Sequence, residues 1–274
     1  MLPDPAQANA SSVALSIRWA DRAIATAART RWWRELALVG GFYGVYDLIR
    51  GLIGGGSAQA QRDGNDLLRW EQLLRIDPEH WLNAHLQHLS VAAVPACYFY
   101  ATLHFVITPG VLLWTYRRHR GDYARARTVL ALITAAALIG FWRFPTAPPR
   151  LLIGAGFHDT LAHFAGWGWW GSDASVPAAA TAIANQYAAM PSLHVAWAAW
   201  CGATLFTLTG RRWIKSLAVA YPVLTTLVVL GTANHYLLDV LAGAALWAVA
   251  EAAVRRARVF SAAARIRIST DGRD

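Results

Sequence analysis

The feature that most constrains this chain is a stretch from Leu89 to Tyr116 that contains no Asp, Glu, Lys or Arg. A helix that crosses a bilayer needs about 20 largely apolar residues, and this stretch exceeds that length. Of all residues, 56% are hydrophobic and 15% are charged, whereas soluble domains are about 25% charged. We therefore predict an integral membrane protein of the all-α class. The composition excludes intrinsic disorder and a secreted disulfide scaffold, and it argues against a nucleic-acid partner.

Six segments of the chain are long and apolar enough to be predicted as transmembrane helices. They lie at roughly 35–54, 92–115, 127–143, 191–209, 215–232 and 235–254. The third is short, so we expect the arginines at its ends to extend back to the membrane surface. The first contains Asp47 and Arg50, and the last contains Asp239 and Glu251.

The basic residues predict how the chain is oriented in the membrane. Most of the 25 Lys and Arg residues lie before the first span or after the second, fourth and sixth spans, all on one side. Positive charge accumulates on the cytoplasmic side of membrane proteins. We therefore expect a multi-pass protein of the inner cell membrane with both termini in the cytoplasm. The N-terminal residues lack the pattern of a cleaved signal peptide.

Three segments of this single membrane domain, residues 1–274, lie outside the predicted spans. Residues 1–31 predict a helix on the cytoplasmic interface. Residues 56–90 are polar and helix-prone, and residues 144–190 are rich in Pro, Gly, Trp and Ala. We expect the last two segments to cover the extracytoplasmic ends of the spans, the second of them as an irregular cap.

Three short motifs fall on the extracytoplasmic face, and the first is NHYLLD at the start of the sixth span. His235 and Asp239 are four residues apart and would share one face of a helix. A carboxylate that holds one imidazole nitrogen leaves the other free to act as a nucleophile. The alternative is a polar pair at a helix end with Asn234 as the N-cap. An Asp inside an apolar segment is costly, however, and this favours a functional role.

The second motif is MPSLH, which opens the fourth span. Pro191 suits the first turn of a helix, and Ser192 would offer a hydroxyl and a backbone N–H at a helix N-terminus, where anions bind. His194 could protonate the oxygen of a leaving group. The alternative is a capping serine followed by an interfacial histidine.

The third motif is RFPTAPPR, directly after the third span. Its prolines restrict the loop, so Arg143 and Arg150 could be held over one site, and arginine suits bidentate contacts with phosphate. The alternative is a pair of arginines that anchor a short span. One phosphate site explains all three motifs together, because phosphoryl transfer needs positive charge, a nucleophile and an acid.

These motifs resemble those of the type 2 phosphatidic acid phosphatase superfamily of membrane lipid phosphatases. That family has Lys-x6-Arg-Pro, Pro-Ser-Gly-His and Ser-Arg-x5-His-x3-Asp. Arg143-x6-Arg150 resembles the first motif, Pro191-Ser192-Leu193-His194 the second, and His235-x3-Asp239 the third. The order of the motifs and the six-span layout also agree, over roughly residues 92–254.

The resemblance implies a role for each motif residue. His235 would attack phosphorus and form a phosphohistidine, and Asp239 would orient His235. His194 would protonate the leaving group and then activate water or an acceptor alcohol. Three residues would bind the phosphate oxygens: Arg143, Arg150 and Ser192. The family works without a metal, so we expect no metal and no cofactor. The substrate would be a phospholipid or an isoprenoid phosphate in the extracytoplasmic leaflet.

Departures from the family pattern bear on the type of reaction. Val228 and Val229 stand where the third motif has Ser-Arg, so one phosphate-binding arginine is missing or supplied elsewhere. The Pro-Ser-Leu-His and PTAPPR forms resemble the inositol phosphorylceramide synthase branch, which transfers a phosphoryl-alcohol head group between lipids. A phosphatase and a head-group phosphotransferase with a lipid or polyol acceptor therefore both remain open.

Five further residues are weaker candidates for contacts with a lipid head group: His104, Tyr100, Asp47, Arg50 and Asp159. His104 lies in mid-span and could equally form a hydrogen bond between helices. Asp47 and Arg50 could pair with each other, and Asp159 could be a solvated loop residue. A rival of another class is a non-catalytic lipid-binding or transport protein. Transporters usually show repeats or paired broken helices, and we find none in the sequence. The sequence does not predict an oligomeric state.

Overall fold

The computed structural model describes residues 57–170 and 186–271, together with Trp33, Ala37, Gly40, Gly41 and Gly44, and includes side chains as far as Arg258. The described part is all-α and contains no strand; an isolated bridge joins Thr146 and Ala188. The predicted interfacial helix in residues 1–31, almost all of the predicted first span at 35–54, and the candidates Asp47 and Arg50 lie outside the described residues.

We label the helices of the described chain in order. They are α1 Ser57–Leu74, α2 Pro78–Leu86, α3 Ser90–Tyr98, α4 His104–Arg118, α5 Arg120–Arg143, α6 Thr160–His163, α7 Leu193–Leu208, α8 Arg212–Gly231 and α9 Leu237–Asp271. A π-helical turn, Phe99–Leu103, joins α3 to α4, so that Ser90–Arg118 is one continuous helix.

Four of the described helices are long and apolar enough to cross a membrane: Ser90–Arg118, Arg120–Arg143, Arg212–Gly231 and Leu237–Arg258. The segments predicted as the second, third, fifth and sixth spans are therefore confirmed as helices long and apolar enough to cross a membrane. The segment predicted as the fourth span, 191–209, forms α7, which has 16 residues and is shorter than the roughly 20 residues of a full crossing. α7 is the central helix of the fold, because α4, α5, α8 and α9 all pack against it.

Charged residues near the ends of the spans are accommodated by contacts between side chains. α5 begins at Arg120, upstream of the predicted third span at 127–143, so the helix extends beyond its apolar stretch. The guanidinium groups of Arg120 and Arg127 lie over the rings of Tyr116 and Tyr123, and these cation–π contacts accommodate the two charges in this part of the helix.

Glu251, the second acidic residue of the last span, is paired across helices. Its Oε1 accepts hydrogen bonds from Arg125 of α5 and, at 2.6 Å, from Arg255 of α9. The ion pair with Arg125 offsets the cost of placing a carboxylate in an apolar helix. It also joins α5 to α9 at the ends of these helices opposite the predicted site.

The segments outside the spans pack over one end of the helix bundle. Residues 57–86 form α1 and α2, and the loop from Phe144 to Trp170 contains only short helical turns, including α6. The backbone N–H of Ala147 donates to the carbonyl of Ala60 at 3.0 Å, which joins this loop to α1. α5 ends, and α7 and α9 begin, at this same end of the bundle, so all three sequence motifs lie there.

Candidate active site

His235 lies in the turn before α9 rather than within that helix. This corrects the expectation that His235 and Asp239 share a helical face. The two residues nevertheless meet, because Asp239 in the first turn of α9 reaches back toward the turn. His235 Nδ1 lies 3.3 Å from Asp239 Oδ2, and the backbone N–H of Tyr236 donates to the same oxygen at 3.0 Å. The side chains of His235 and Asp239 are 4% and 0% exposed, so the pair is isolated from bulk solvent.

His194 lies on the side of the His235 ring that faces away from Asp239. His194 occupies the second position of α7, and its Nδ1 lies 3.4 Å from Nε2 of His235. The ring nitrogens of these two residues and the Asp239 carboxylate therefore form a continuous chain. An arrangement of this kind can hold one imidazole as a nucleophile and offer the other as an acid or base.

Ser192 is the N-cap of α7 and is fully buried. Its Oγ accepts a hydrogen bond from the N–H of Val195 at 3.4 Å, as a capping serine does. Its backbone N–H donates to the carbonyl of Asp239 at 3.0 Å. That N–H was expected to be free for an anion and is instead used to join α7 to α9. The hydroxyl hydrogen of Ser192 remains the group that could donate to a phosphate.

Arg150 is buried beside the turn that carries His235. Its Nε donates to Oδ1 of Asn234 at 2.9 Å, and its backbone N–H donates to the carbonyl of Ala233 at 2.9 Å. A terminal nitrogen of its guanidinium donates to Oδ2 of Asp159 at 2.7 Å. Asn234 is not the N-cap of α9, because α9 begins at Leu237, and the Asn234 side chain bonds to Arg150 and Thr232.

Arg143 has different surroundings. It is the last residue of α5, it is exposed, and its guanidinium lies over the ring of Phe144, 5.5 Å from the ring centroid. Arg150, and not Arg143, is hydrogen-bonded to the turn that carries His235. The exposed guanidinium of Arg143 and the buried guanidinium of Arg150 thus have different partners in this structure.

Two of the weaker candidates lie against His194. The ring of Tyr100 stacks on the His194 ring with centroids 4.5 Å apart, and the ring of His104 meets it edge-on at 4.4 Å. Tyr100 belongs to the π-helical turn, and His104 directly follows it. Turns of this kind occur frequently at functional sites. In the sequence, these two residues lie far from the motif that contains His194.

The third weaker candidate, Asp159, acts within the fold. One of its carboxylate oxygens pairs with Arg150, and the other accepts the N–H of Ala162 at 3.0 Å as the N-cap of α6. Asp159 is thus not a purely solvated loop residue, because its carboxylate faces Arg150 of the candidate site. Its carboxylate orients the guanidinium that was predicted to bind phosphate.

Sequence reasoning missed a buried asparagine that connects the surrounding elements. The Nδ2 of Asn83 donates to the carbonyl of Gly231 at 3.0 Å and to the Oγ1 of Thr160 at 3.2 Å, and its Oδ1 accepts the N–H of His158 at 2.8 Å. Asn83 therefore ties α2 to the end of α8 and to the loop that carries Asp159. A lone asparagine in a polar helical segment carries no sequence signal for such a role.

Sequence reasoning also missed two buried carboxyl groups, Glu71 of α1 and Glu79 of α2, both fully buried. Oε1 of Glu71 accepts the backbone N–H of Leu238 at 2.6 Å, in the first turn of α9. Burial raises the pKa of both glutamates. In the sequence they look like solvated charges of the 56–90 segment, since nothing local indicates that they face α9.

Comparison with known proteins supports the resemblance of the three motifs. The family model of the PAP2 superfamily matches residues 65–253, a range that includes every motif residue and extends to α1 and α2. Searches of curated proteins and of solved structures returned no match. Members of this superfamily are phosphoryl-transfer enzymes, which supports an enzymatic role. Because the match covers more than half of the chain, this protein belongs to the PAP2 superfamily.

Proposed function

We propose that this protein is a metal-independent phosphoryl-transfer enzyme that acts on a lipid phosphate through a phosphohistidine on His235. The observation that carries this proposal is the chain formed by Asp239, His235 and His194, whose adjacent side-chain atoms are 3.3 and 3.4 Å apart. With Nδ1–H directed at Asp239, His235 presents the lone pair of Nε2 to the substrate. The same Nε2 lies beside the proposed acid, His194.

The first chemical step would be attack by Nε2 of His235 on phosphorus. A P–N bond forms, the P–O bond to the leaving group breaks, and protonated His194 gives its proton to the departing oxygen. Asp239 holds Nδ1–H and stabilises the positive charge that develops on the imidazole. In the second step, neutral His194 takes a proton from water or an alcohol as that oxygen attacks phosphorus. The P–N bond then breaks and His235 is regenerated.

Positive charge at the site would come first from Arg150. Its guanidinium is oriented by Asn234 and Asp159, and donors held in place before reaction stabilise developing charge most effectively. The hydroxyl of Ser192 would donate to another phosphate oxygen. Arg143 would join them only after leaving the ring of Phe144, over which its guanidinium lies.

A membrane lipid suits this location. The helices that flank the site are apolar, and exposed aromatic side chains surround this end of the bundle: Trp142, Phe144, Trp167 and Trp169. Aromatic residues of this kind are enriched where a protein meets the membrane surface. Tyr100 and His104, packed against His194, would contact the leaving group or head group. The arginine distribution supports an extracytoplasmic position in the inner membrane.

The second motif favours a head-group phosphotransferase over a simple hydrolase. Its Pro-Ser-Leu-His sequence resembles that of the inositol phosphorylceramide synthase branch, which transfers a phosphoryl-alcohol head group between lipids. The acceptor would then be the hydroxyl of a lipid or a polyol.

The test is an assay of purified protein in detergent with phosphate monoesters and diesters of lipids, each with and without phosphatidylinositol, ceramide or diacylglycerol. Acceptor-dependent exchange supports the transferase, and free phosphate from monoesters supports the phosphatase. When the reaction with a 32P-labelled substrate is quenched rapidly without acid, the wild-type protein should carry the label and the His235→Gln protein should not. The kcat of His235→Gln should be at least about 10³-fold below that of the wild type. Full turnover by His235→Gln would exclude this nucleophile, and inactivity on the whole panel would favour a non-catalytic lipid-binding protein.

A further inference from the structure

Two buried glutamates lie behind the proposed catalytic residues and have no part in the steps described above. Glu71 is on α1 and Glu79 is on α2, and neither side chain is exposed to solvent. Both helices lie outside the candidate membrane spans. Fully buried carboxyl groups are rare in proteins unless they are paired, because burying a charge is costly.

Glu71 is bonded to the helix that carries Asp239. Its Oε1 accepts the backbone N–H of Leu238 at 2.6 Å. The first N–H groups of a helix have no acceptor within that helix, and negative charge is favourable at this end. Leu238 directly precedes Asp239, so the contact anchors the first turn of α9 at the residue next to the proposed catalytic carboxylate.

The remaining carboxyl oxygens of the two residues, Oε2 of Glu71 and both oxygens of Glu79, are buried without a hydrogen-bond partner among the described residues. The two side chains are near enough for each to affect the pKa of the other. Two ionised carboxylates buried side by side would repel each other with no cation in the described part of the chain to compensate, so we expect at least one of them to carry a proton, which it can donate to the other. Burial of both groups is the largest cause of their raised pKa values, and the Asp239 carboxylate nearby raises both further. The proton therefore remains on the pair at neutral pH.

We propose that Glu71 and Glu79 form a proton-sharing carboxyl pair that anchors the first turn of α9 and so positions Asp239 for His235. They are positioning residues and do not touch the substrate. The existence of the pair does not depend on the proposed function; only its effect on catalysis rests on that function.

The anchor acts together with other contacts at the start of α9. The hydroxyl of Tyr236 donates to the carbonyl of Ala147 at 2.7 Å, and the carbonyl of Asp239 accepts from Ser192. Glu71 adds the contact from the α1 side. Without it, the Leu238 N–H loses its acceptor and the turn can shift relative to α7. A shift of this kind moves Asp239 away from Nδ1 of His235, which lowers the rate of reaction more than the affinity for substrate.

The shared proton can be tested by infrared spectroscopy. At neutral pH the wild-type protein should show the C=O stretching band of a buried protonated carboxylic acid, which ionised carboxylates lack. The double variant E71Q/E79Q should lose intensity in this band. D66N, which removes an exposed carboxylate from the same helix, should retain it. An unchanged band in E71Q/E79Q, or no such band in the wild type, would overturn the proposal.

The pH dependence of the melting temperature provides a second test of the shared proton. The other titratable groups that face the pair are Asp77 of α2 and Tyr236 and Asp239 at the start of α9. Folding raises the pKa of these acids above the ordinary value for Glu, about 4.3. The stabilisation that results is fully present at a pH below that ordinary pKa, and it is lost as the pH rises toward the raised pKa. The wild-type Tm should therefore fall between pH 5 and pH 9 more steeply than that of E71Q/E79Q. D66N should follow the wild type, and equal slopes in wild type and double variant would contradict a shared proton.

Kinetics test the positioning role separately. The side chain of E71Q keeps an oxygen that can accept from Leu238, whereas that of E71L does not. We expect kcat of E71L to lie about tenfold below that of E71Q, with KM within about twofold, because one buried hydrogen bond is lost. Equal kcat values for E71L and E71Q would refute positioning by Glu71. If the wild-type protein turns over no substrate, the proposed function fails, and the infrared and Tm measurements still decide whether the pair exists.

Discussion

At the scale of single residues, the chemistry of the proposed site depends on which nitrogen of His235 carries its proton. Asp239 Oδ2 accepts from the turn on one side and lies 3.3 Å from His235 Nδ1 on the other. A carboxylate in that position favours the tautomer with the proton on Nδ1 and leaves Nε2 available. The nucleophile therefore depends on a residue that does not itself contact the substrate.

Asp239→Asn tests this dependence with almost no change in shape. The amide is neutral, so it neither stabilises a positive imidazole nor enforces the required tautomer. We expect kcat to fall by about 10²-fold or more, with little change in KM. The measurement is steady-state kinetics on whichever lipid phosphate the wild type accepts. Asp66→Asn, an exposed position on α1, is the matched control and should leave kcat unchanged. A similar kcat for Asp239→Asn and wild type would remove Asp239 from the mechanism.

The sequence predicted which residues come together at the candidate site, but it did not predict all of the contacts that they form. His194, Ser192, Asp239 and His235 were predicted, and the structure brings them together. The position of His235 outside the helix was not predicted, because residue spacing alone does not define where a helix begins. The buried glutamates were missed because a glutamate has the same local pattern on an exposed face and on a buried one.

At the scale of elements, the site exists because α9 approaches the start of α7 very closely. Gly243 of α9 lies against the N-cap of α7, and a Cβ built on Gly243 would lie 2.3 Å from the carbonyl oxygen of Ser192. That oxygen belongs to backbone and cannot move away as a flexible side chain could. The glycine therefore permits the distance between helices at which His194 and His235 meet.

Gly243→Ala should accordingly separate the two helices and damage the site. We expect a loss of roughly 1–3 kcal/mol in stability from overpacking, together with a fall in kcat. Thermal unfolding in detergent and steady-state kinetics would measure the two effects. Gly110→Ala is the matched control, because that glycine also lies in an apolar helix but has open space around its Cβ position. If Gly243→Ala behaved like Gly110→Ala, close packing of α9 on α7 would not be what assembles the site.

Hydropathy predicted most of the elements but not all of their limits. α5 extends upstream of the predicted third span, where Arg127 lies over the ring of Tyr123 and Arg125 pairs with Glu251, a residue distant in sequence. The predicted fourth span corresponds to α7, an apolar helix of 16 residues that is shorter than the four helices long enough to cross a membrane. Contacts with α4, α5, α8 and α9 account for much of its apolar composition, which hydropathy alone does not reveal.

At the scale of the whole molecule, the distribution of arginines predicts which side of the membrane the site faces. The loop that carries Asp159 and the motif ends of α7 and α9 lie together at one end of the bundle. The loop between α7 and α8, with Arg211, and the start of α8 at Arg212 lie at the other. The positive-inside rule places the second end in the cytoplasm. The predicted orientation therefore puts the site on the extracytoplasmic side.

Cysteine labelling in intact cells tests this orientation. Gly166→Cys introduces an exposed thiol in the loop near the site, and Arg211→Cys introduces one at the opposite end. The native Cys97 and Cys201 are both buried, so they should contribute little background. A membrane-impermeant thiol reagent should label Gly166→Cys in intact cells and Arg211→Cys only after the cells are opened. The reverse pattern would invert the topology and place the proposed reaction at the cytoplasmic leaflet.

The sequence by itself determined the membrane character, most of the helices, the superfamily and the residues of the three motifs. These properties follow from composition and spacing, which act locally along the chain. Only the tertiary structure decided that Arg150 is held by Asp159 and Asn234, that Tyr100 and His104 pack on His194, and that Glu71 anchors α9. Such contacts join positions that are often far apart in sequence. They depend on how closely whole helices pack, which no local pattern of residue types records.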